Sequence, residues 1–229
     1  MRKLLGGFLL TVQALVWAQG TPQRSPQSTA GVHPITGRRY AAVMGYGGAD
    51  WLVRPERESE EHPDQALDAI GIAKGSVVGD VGAGAGYFTW RLAARVGPTG
   101  KVYANDIEPR MLDLLRRNMA QRHIANVETV LGAVDDPHLP ASALDLILLV
   151  DVYHEFSEPQ KMLRHMRDSL KPDGRLVLLE YRAEDPNVPI LPAHKMTVAQ
   201  VKAEVEPEGF HMAAPIETLP LQHILIFRK

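Results

Sequence analysis

The sequence predicts an α/β fold on a mostly parallel, doubly wound sheet, and three observations carry that prediction. Val77-Val78-Gly79-Asp80-Val81 reads as a buried strand that breaks into Gly82-Ala83-Gly84-Ala85-Gly86 and then into a helix from Phe88 to Val96. Leu144 to Val150 is a continuous apolar run, the pattern of a central parallel strand covered on both faces. Strand and helix patterns then alternate until two closely joined strands, Phe210 to Thr218 and His223 to Arg228, which should pair antiparallel.

The glycine turn also bears on the ligand. Glycines at alternate positions let the backbone approach a ligand where a Cβ would collide, and the next helix offers its free N–H groups. A dinucleotide fingerprint needs its third glycine at position 87, where this chain has Tyr87. The pattern is instead Asp80-x-Gly82-x-Gly84-x-Gly86, and an acid two residues before the first glycine suits a ligand with a cationic end. Lys101-Val102-Tyr103-Ala104-Asn105-Asp106 reads as the next strand. Its closing acid, about 20 residues beyond the turn, can accept both ribose hydroxyls of an adenosine.

These two runs, the second continuing as Ile107-Glu108-Pro109-Arg110-Met111-Leu112, resemble motifs I and II of the class I S-adenosylmethionine-dependent methyltransferases. The resemblance covers about residues 60–229. It implies a Rossmann-like, seven-stranded sheet of order 3-2-1-4-5-7-6 with its last strand antiparallel, and S-adenosylmethionine as cofactor. The implied cofactor site comprises Asp80, Gly82, Ala83, Gly84, Gly86, Tyr87, Asp106 and Ile107. In the family an acid after the third strand often accepts from the adenine amine. Asp135 is the first choice for that role and Asp136 the second, although both also suit a turn before Pro137. Asp151 closes the fourth strand, at the height where open α/β sheets bind ligands.

Taken in order, the chain opens with Arg2 and Lys3 before an apolar stretch, Leu4 to Trp17, and small residues at Val16 and Ala18. That is the shape of a secretory signal peptide over residues 1–18, predicting a periplasmic or secreted protein. The alternatives are an uncleaved N-terminal anchor or a misassigned start, which would leave the protein membrane-tethered or cytoplasmic. Export conflicts with a cofactor made in the cytosol. Gly20 to Gly31 reads as a disordered linker and Val32 to Trp51 as an irregular arm, so residues 19–50 precede a catalytic domain over 51–229. Tyr40, Tyr46 and Trp51 either meet substrate from a lid-like arm or pack that arm onto the core.

Arg54 to Glu61 is a charge-dense run, read as the solvated start of a helix continuing through Ala66, Leu67 and Ile70. Pro109 to Arg122 is an amphipathic helix with Met111, Leu112, Leu114, Leu115 and Met119 inward, and Val127 to Leu131 is a third strand. Ser157 to Leu170 reads as a helix, followed by Lys171-Pro172-Asp173-Gly174 turning into a strand over Arg175 to Tyr181. Asp185 to Pro192 holds three prolines and resembles the family's variable, substrate-facing segment. A helix then starts at His194-Lys195-Met196-Thr197, with Thr197 as cap.

Composition narrows the function. The 229 residues are 45% hydrophobic with net charge −2, which argues against an obligatory nucleic-acid partner, and there is no cysteine for a disulfide, a thiolate metal site or a nucleophile. No stable membrane span is expected after leader cleavage, and the oligomeric state is not legible. Methyl transfer needs in-line positioning above all, and needs a base only for a hydroxyl or protonated amine. His154 is the candidate base, with Glu155 orienting it or acting itself; the alternative for His154 is a helix cap or a core hydrogen bond. Tyr153, His194, Tyr40 and Tyr46 are substrate-side candidates.

The histidines show no H-E-x-x-H spacing, so no structural or catalytic zinc is expected, and Asp151 with Asp135 and Asp136 has no diagnostic spacing for Mg²⁺. The resulting expectation is methyl transfer to a small-molecule acceptor. The alternative is a non-catalytic adenosyl-ligand binding protein on the same fold; Tyr87 disfavours a nicotinamide oxidoreductase.

Overall fold

A computed structural model describes residues 31–229 except Ala214; the leader over 1–18 and almost all of the linker lie outside the described residues. Helices α1 (Ala49–Leu52), α2 (Arg57–Glu61) and α3 (Pro63–Ile70) lead into β1 (Val77–Val81), α4 (Thr89–Val96), β2 (Lys101–Asp106), α5 (Pro109–Gln121) and β3 (Val127–Leu131). Then come β4 (Leu144–Val150), α6 (Pro159–Ser169), β5 (Leu170–Arg182), β6 (Lys195–Met196), α7 (Val198–Val205), β7 (His211–Met212) and β8 (Gln222–Arg228). The sheet order is β3-β2-β1-β4-β5-β8-β7, which is the expected 3-2-1-4-5-7-6 arrangement once the two-residue β6, paired to the end of β5, is set aside. β8 runs antiparallel to β5, and β1 to β5 are parallel.

The alternation along β4 explains why the sheet is covered twice. Ile147 and Leu149 face a cluster with Met162, Leu163 and Met166 of α6 and Val201 and Val205 of α7. Leu146 and Leu148 face the opposite cluster, with Leu67 and Ile70 of α3 and Leu92 and Val96 of α4. Burying a side chain of this size contributes roughly 1.5–3 kcal/mol, so a period of two in one strand fastens helices to both faces.

Three expectations need correction. The helix over 54–70 is two helices, broken where His62 adopts φ 49°. The charged run is not simply solvated: Arg57 and Glu61 are buried, with Arg57 Nε 2.7 Å from Glu61 Oε1, which also accepts the Tyr181 hydroxyl at 2.9 Å. Thr197 caps the last helix as expected, but the helix starts at Val198 and not at His194, because the reciprocal Thr197–Gln200 capping box fixes its first turn there.

The arm over 31–48 is tied down by one buried ion pair. Arg38 meets the fully buried Glu204 of α7 through Nε at 2.9 Å and Nη2 at 2.9 Å. Its Nη1 reaches the His154 carbonyl at 2.9 Å, and the Ala41 N–H donates to the same carbonyl at 3.0 Å. Removing one member of a buried pair leaves the other charge without its counter-ion, at a cost of about 3–5 kcal/mol. Arg38→Ala should therefore lower the urea-unfolding free energy by about 3 kcal/mol, measured by circular dichroism, with the loss confined to the midpoint if the unfolded state is unchanged.

Candidate functional site

A cavity of about 370 Å³ opens at the carboxyl ends of β1, β2, β4 and β5, where the strand order reverses between β1 and β4. That is the topological switch point at which open α/β sheets bind ligands, and the volume suits a small-molecule site. Its floor is the glycine turn. Gly82 (φ 72°) and Gly84 (φ 54°) both line it in conformations that side chains rarely adopt, and a Cβ on Gly82 would lie 2.4 Å from Val152.

Asp106 ends β2 beside this turn. Its Oδ2 accepts from the Gly84 N–H at 2.9 Å and its Oδ1 from the Glu108 N–H at 2.9 Å, so each oxygen keeps a further acceptor position. Burial nevertheless raises its pKa, the backbone donors opposing that rise. Ile107, Met111, Ala133 and Val134 form an apolar wall next to it. Asp151, in a left-handed conformation (φ 52°), also lines the cavity; it accepts from Gln222 Nε2 at 2.8 and 2.9 Å and lies 3.7 Å from Arg57 Nη2. Burial, with Glu61 nearby, raises its pKa well above the usual carboxylate value.

The opposite end is polar. Tyr153 and His154 follow β4, and Glu180 of β5, wholly buried, holds both: Oε1 accepts the Tyr153 N–H at 3.0 Å and Oε2 lies 2.6 Å from His154 Nδ1. His154 Nε2 then points at His194 Nδ1, 3.0 Å away. Burial pulls the His154 pKa down, but Glu180 outweighs it and the net shift is upward. His194 is lowered, by burial first and the His154 charge second. Glu155 is pushed up to about 7 by burial, with its carboxylate 3.3 Å from the Met44 N–H.

The structure sorts the sequence-predicted residues. Gly82, Gly84, Asp106, Ile107, Asp151, His154, Glu155 and His194 meet at the cavity. Asp80 does not: it is buried beneath the turn, where Thr89 Oγ1 donates to it at 2.6 Å, and its pKa rises to about 6 through burial. Gly86 (φ 87°) serves packing, since a Cβ there would lie 2.9 Å from Met119 and 3.0 Å from Leu115, and Ala83 packs among α5 residues. Tyr87 turns outward, its hydroxyl on Glu58 and its ring between Arg57 and Arg91. Asp135 and Asp136 also face away, Asp135 towards Lys161 and Asp136 accepting from the His138 N–H; the loop shows the cavity Ala133 and Val134 instead, and no Asp151–Asp135–Asp136 trio forms.

Among the substrate-side tyrosines, Tyr153 is fully buried against Phe156, Tyr40 packs on Arg38 and Tyr46 stacks with Arg110. Of the arm aromatics Trp51 does reach the cavity, beside Val43 and Met44 of the arm and Leu52 of α1. Two site residues were missed. Glu180 is a single acid closing the apolar run Leu176 to Leu179, and a buried acid needs a partner; Arg57 has its partner four residues on, at Glu61.

The class defined by this geometry is an α/β protein with a ligand-sized cavity at its switch point. The description of a methyltransferase domain matches residues 72–216. The chain belongs to the methyltransferase domain family. It is similar to the ubiquinone/menaquinone biosynthesis C-methyltransferase UbiE of Escherichia fergusonii, 34% identical over 116 residues, or 50% of this chain and 46% of that protein. The chain thus matches about half the length of these curated relatives.

Among solved structures it is similar to an S-adenosylmethionine-dependent methyltransferase from Aquifex aeolicus, with TM-score 0.77 and 25% identity over 81% of this chain and 98% of that one. A putative type 11 methyltransferase from Sulfolobus solfataricus shares the fold at TM-score 0.62 and 21% identity, covering 74% of this chain and 93% of that one. S-adenosylmethionine is the cofactor that the description of the Aquifex aeolicus protein names. The residues present fit it, because the two lining glycines leave their backbone bare and Asp106 retains acceptor positions inside the cavity.

Two predictions follow from the carboxylates. Asp106→Ala removes charged acceptors worth about 1.5–3 kcal/mol each, so affinity for S-adenosylhomocysteine by calorimetry should fall at least about 10-fold. For Asp80 the folded value of about 6 lies above the ordinary 3.8, so the fold prefers the protonated acid. Its contribution is complete below the ordinary value and is lost as pH rises through about 6. In ligand-free protein, the stability of Asp80→Asn relative to wild type should therefore rise by about 3 kcal/mol between about pH 3.5 and about pH 7.

Proposed function

We propose that the protein transfers the methyl group of S-adenosylmethionine to an apolar small-molecule acceptor. The cofactor supplies an electrophilic methyl on a sulfonium, whose thioether leaves as a neutral group. Asp106 takes the ribose hydroxyls, Ile107, Met111 and Val134 flank the base, and Asp151 faces the ammonium end in place of the buried Asp80. The observation that carries the reading is a single cavity with the glycine turn and Asp106 at one end and His154, Glu155 and His194 at the other.

The acceptor class rests on the rim. Of nine large hydrophobic residues left exposed among the described residues, five line this cavity, and three of these (Val43, Trp51 and Leu191) are not taken up by the base. Clustered apolar exposure of that kind marks a ligand-binding surface. A hydrophobic, ring-bearing acceptor is consistent with the C-methyltransferase name of the curated relatives. Among the described residues no helix is long and apolar enough to cross a membrane. The leader reading stands beside this as a proposal of export after cleavage at Ala18.

In this reading His154 and its neighbours hold the acceptor's reacting atom, and the arm and the Pro189–Leu191 segment exclude water. The test is transfer of a labelled methyl group from S-adenosylmethionine to a panel of hydrophobic phenols, quinols and thiols. His154→Ala should lower turnover about 100-fold or more while leaving S-adenosylhomocysteine affinity within about 2-fold. Tight cofactor binding with no transfer to any acceptor of the panel would contradict the proposal.

A further inference from the structure

We propose that His154, Glu155 and His194 form a binding site for a divalent transition metal of the zinc class, on the acceptor side of the cavity. The two ring nitrogens, His154 Nε2 and His194 Nδ1, lie 3.0 Å apart, and with a Glu155 oxygen all three ligand atoms fall within 4.8 Å of one another. Zinc–imidazole bonds are about 2.0–2.1 Å long, so two nitrogens on one tetrahedral ion sit roughly 3.3–3.4 Å apart. The nitrogens, now at hydrogen-bond distance, are within a few tenths of an ångström of that separation. The carboxylate's hold on the Met44 N–H is long, at 3.3 and 3.4 Å.

The surroundings match a metal site beyond the ligands themselves. A ligating histidine characteristically gives its other ring N–H to a carboxylate, which fixes the tautomer and turns the free nitrogen to the ion. His154 does so through Nδ1, 2.6 Å from the accepting Glu180 Oε2, and the wholly buried carboxylate is itself fixed by the Tyr153 N–H. Two histidines and one carboxylate are a zinc or non-haem iron donor set, with positions left open as in catalytic rather than structural sites. Those open positions face the cavity where Pro189, Ile190 and Leu191 form its apolar wall. They suit an acceptor that offers an oxygen or sulfur lone pair. Histidine spacing concealed the set because His154 follows β4 and His194 follows β5, 40 residues apart in the chain.

That acceptor role rests on the methyl-transfer reading, whereas metal binding does not, and the experiment separates the two. Tag-free protein, dialysed against chelator, is titrated with Co²⁺ alone and followed by visible absorption. The expected result is an intense ligand-field band saturating at one Co²⁺ per chain and erased by Zn²⁺. His194→Ala, which alters a partly exposed residue and spares the core, should abolish the band; Glu180→Gln should weaken binding about 10–100-fold with the band shape retained.

Absence of the band in folded wild-type protein would overturn the metal site. So would a band that survives in His194→Ala, since the ion would then sit elsewhere. A saturating, His194-dependent band in a protein that methylates nothing would uphold the metal site while refuting methyl transfer. Undiminished transfer by protein that binds no Co²⁺ would do the reverse.

Discussion

The arrangement depends on one buried carboxylate. Glu180 closes an apolar strand in the middle of the sheet, where an acid without partners would cost several kcal/mol. Its two oxygens are spent on the residues after the neighbouring strand, one on the Tyr153 N–H and one on the His154 ring. The solution to that burial problem is also what aims His154 Nε2 into the cavity. The same turn is gripped from outside through the His154 carbonyl, by Arg38 and by the Ala41 N–H. Arm, α7 and sheet are thus coupled at a single backbone position.

A second constraint operates at the other end of the cavity. The glycine turn does two jobs that its sequence does not distinguish: Gly82 and Gly84 present bare backbone to the ligand space, while Gly86 admits the side chains of α5. Asp106 braces that turn through the Gly84 N–H, so one carboxylate both shapes the cradle and faces the ligand. Building the ligand site from backbone and strand ends keeps it rigid. The far end of the cavity is built by the arm and the proline-rich segment instead.

Much of this was legible because it follows from local periodicity. The parallel strands were legible in apolar runs such as Leu144 to Val150 and the antiparallel end in the closely joined C-terminal pair, whereas the strand order was implied by the resemblance to the methyltransferase family. Gly82, Gly84, Asp106 and the His154–Glu155 pair were legible because they sit at strand ends, where position along the chain fixes height above the sheet. Direction was not legible. Asp80, Tyr87, Asp135 and Asp136 lie close to the right place in sequence, yet their side chains point into the core or out to solvent. The convergence of His154, His194 and Glu180 was hidden for a different reason, since it is made by neighbouring strands whose separation in sequence carries no periodic signal.

A crystal structure of the protein with S-adenosylhomocysteine tests the central claim most directly, that one cavity holds the cofactor and turns its sulfur towards the histidine pair. The account predicts the ribose on Asp106, the amino-acid end by the Gly82–Gly84 backbone and the sulfur facing His154 and His194. A ligand bound elsewhere, or one whose sulfur faces away from that pair with Asp106 untouched, would contradict it.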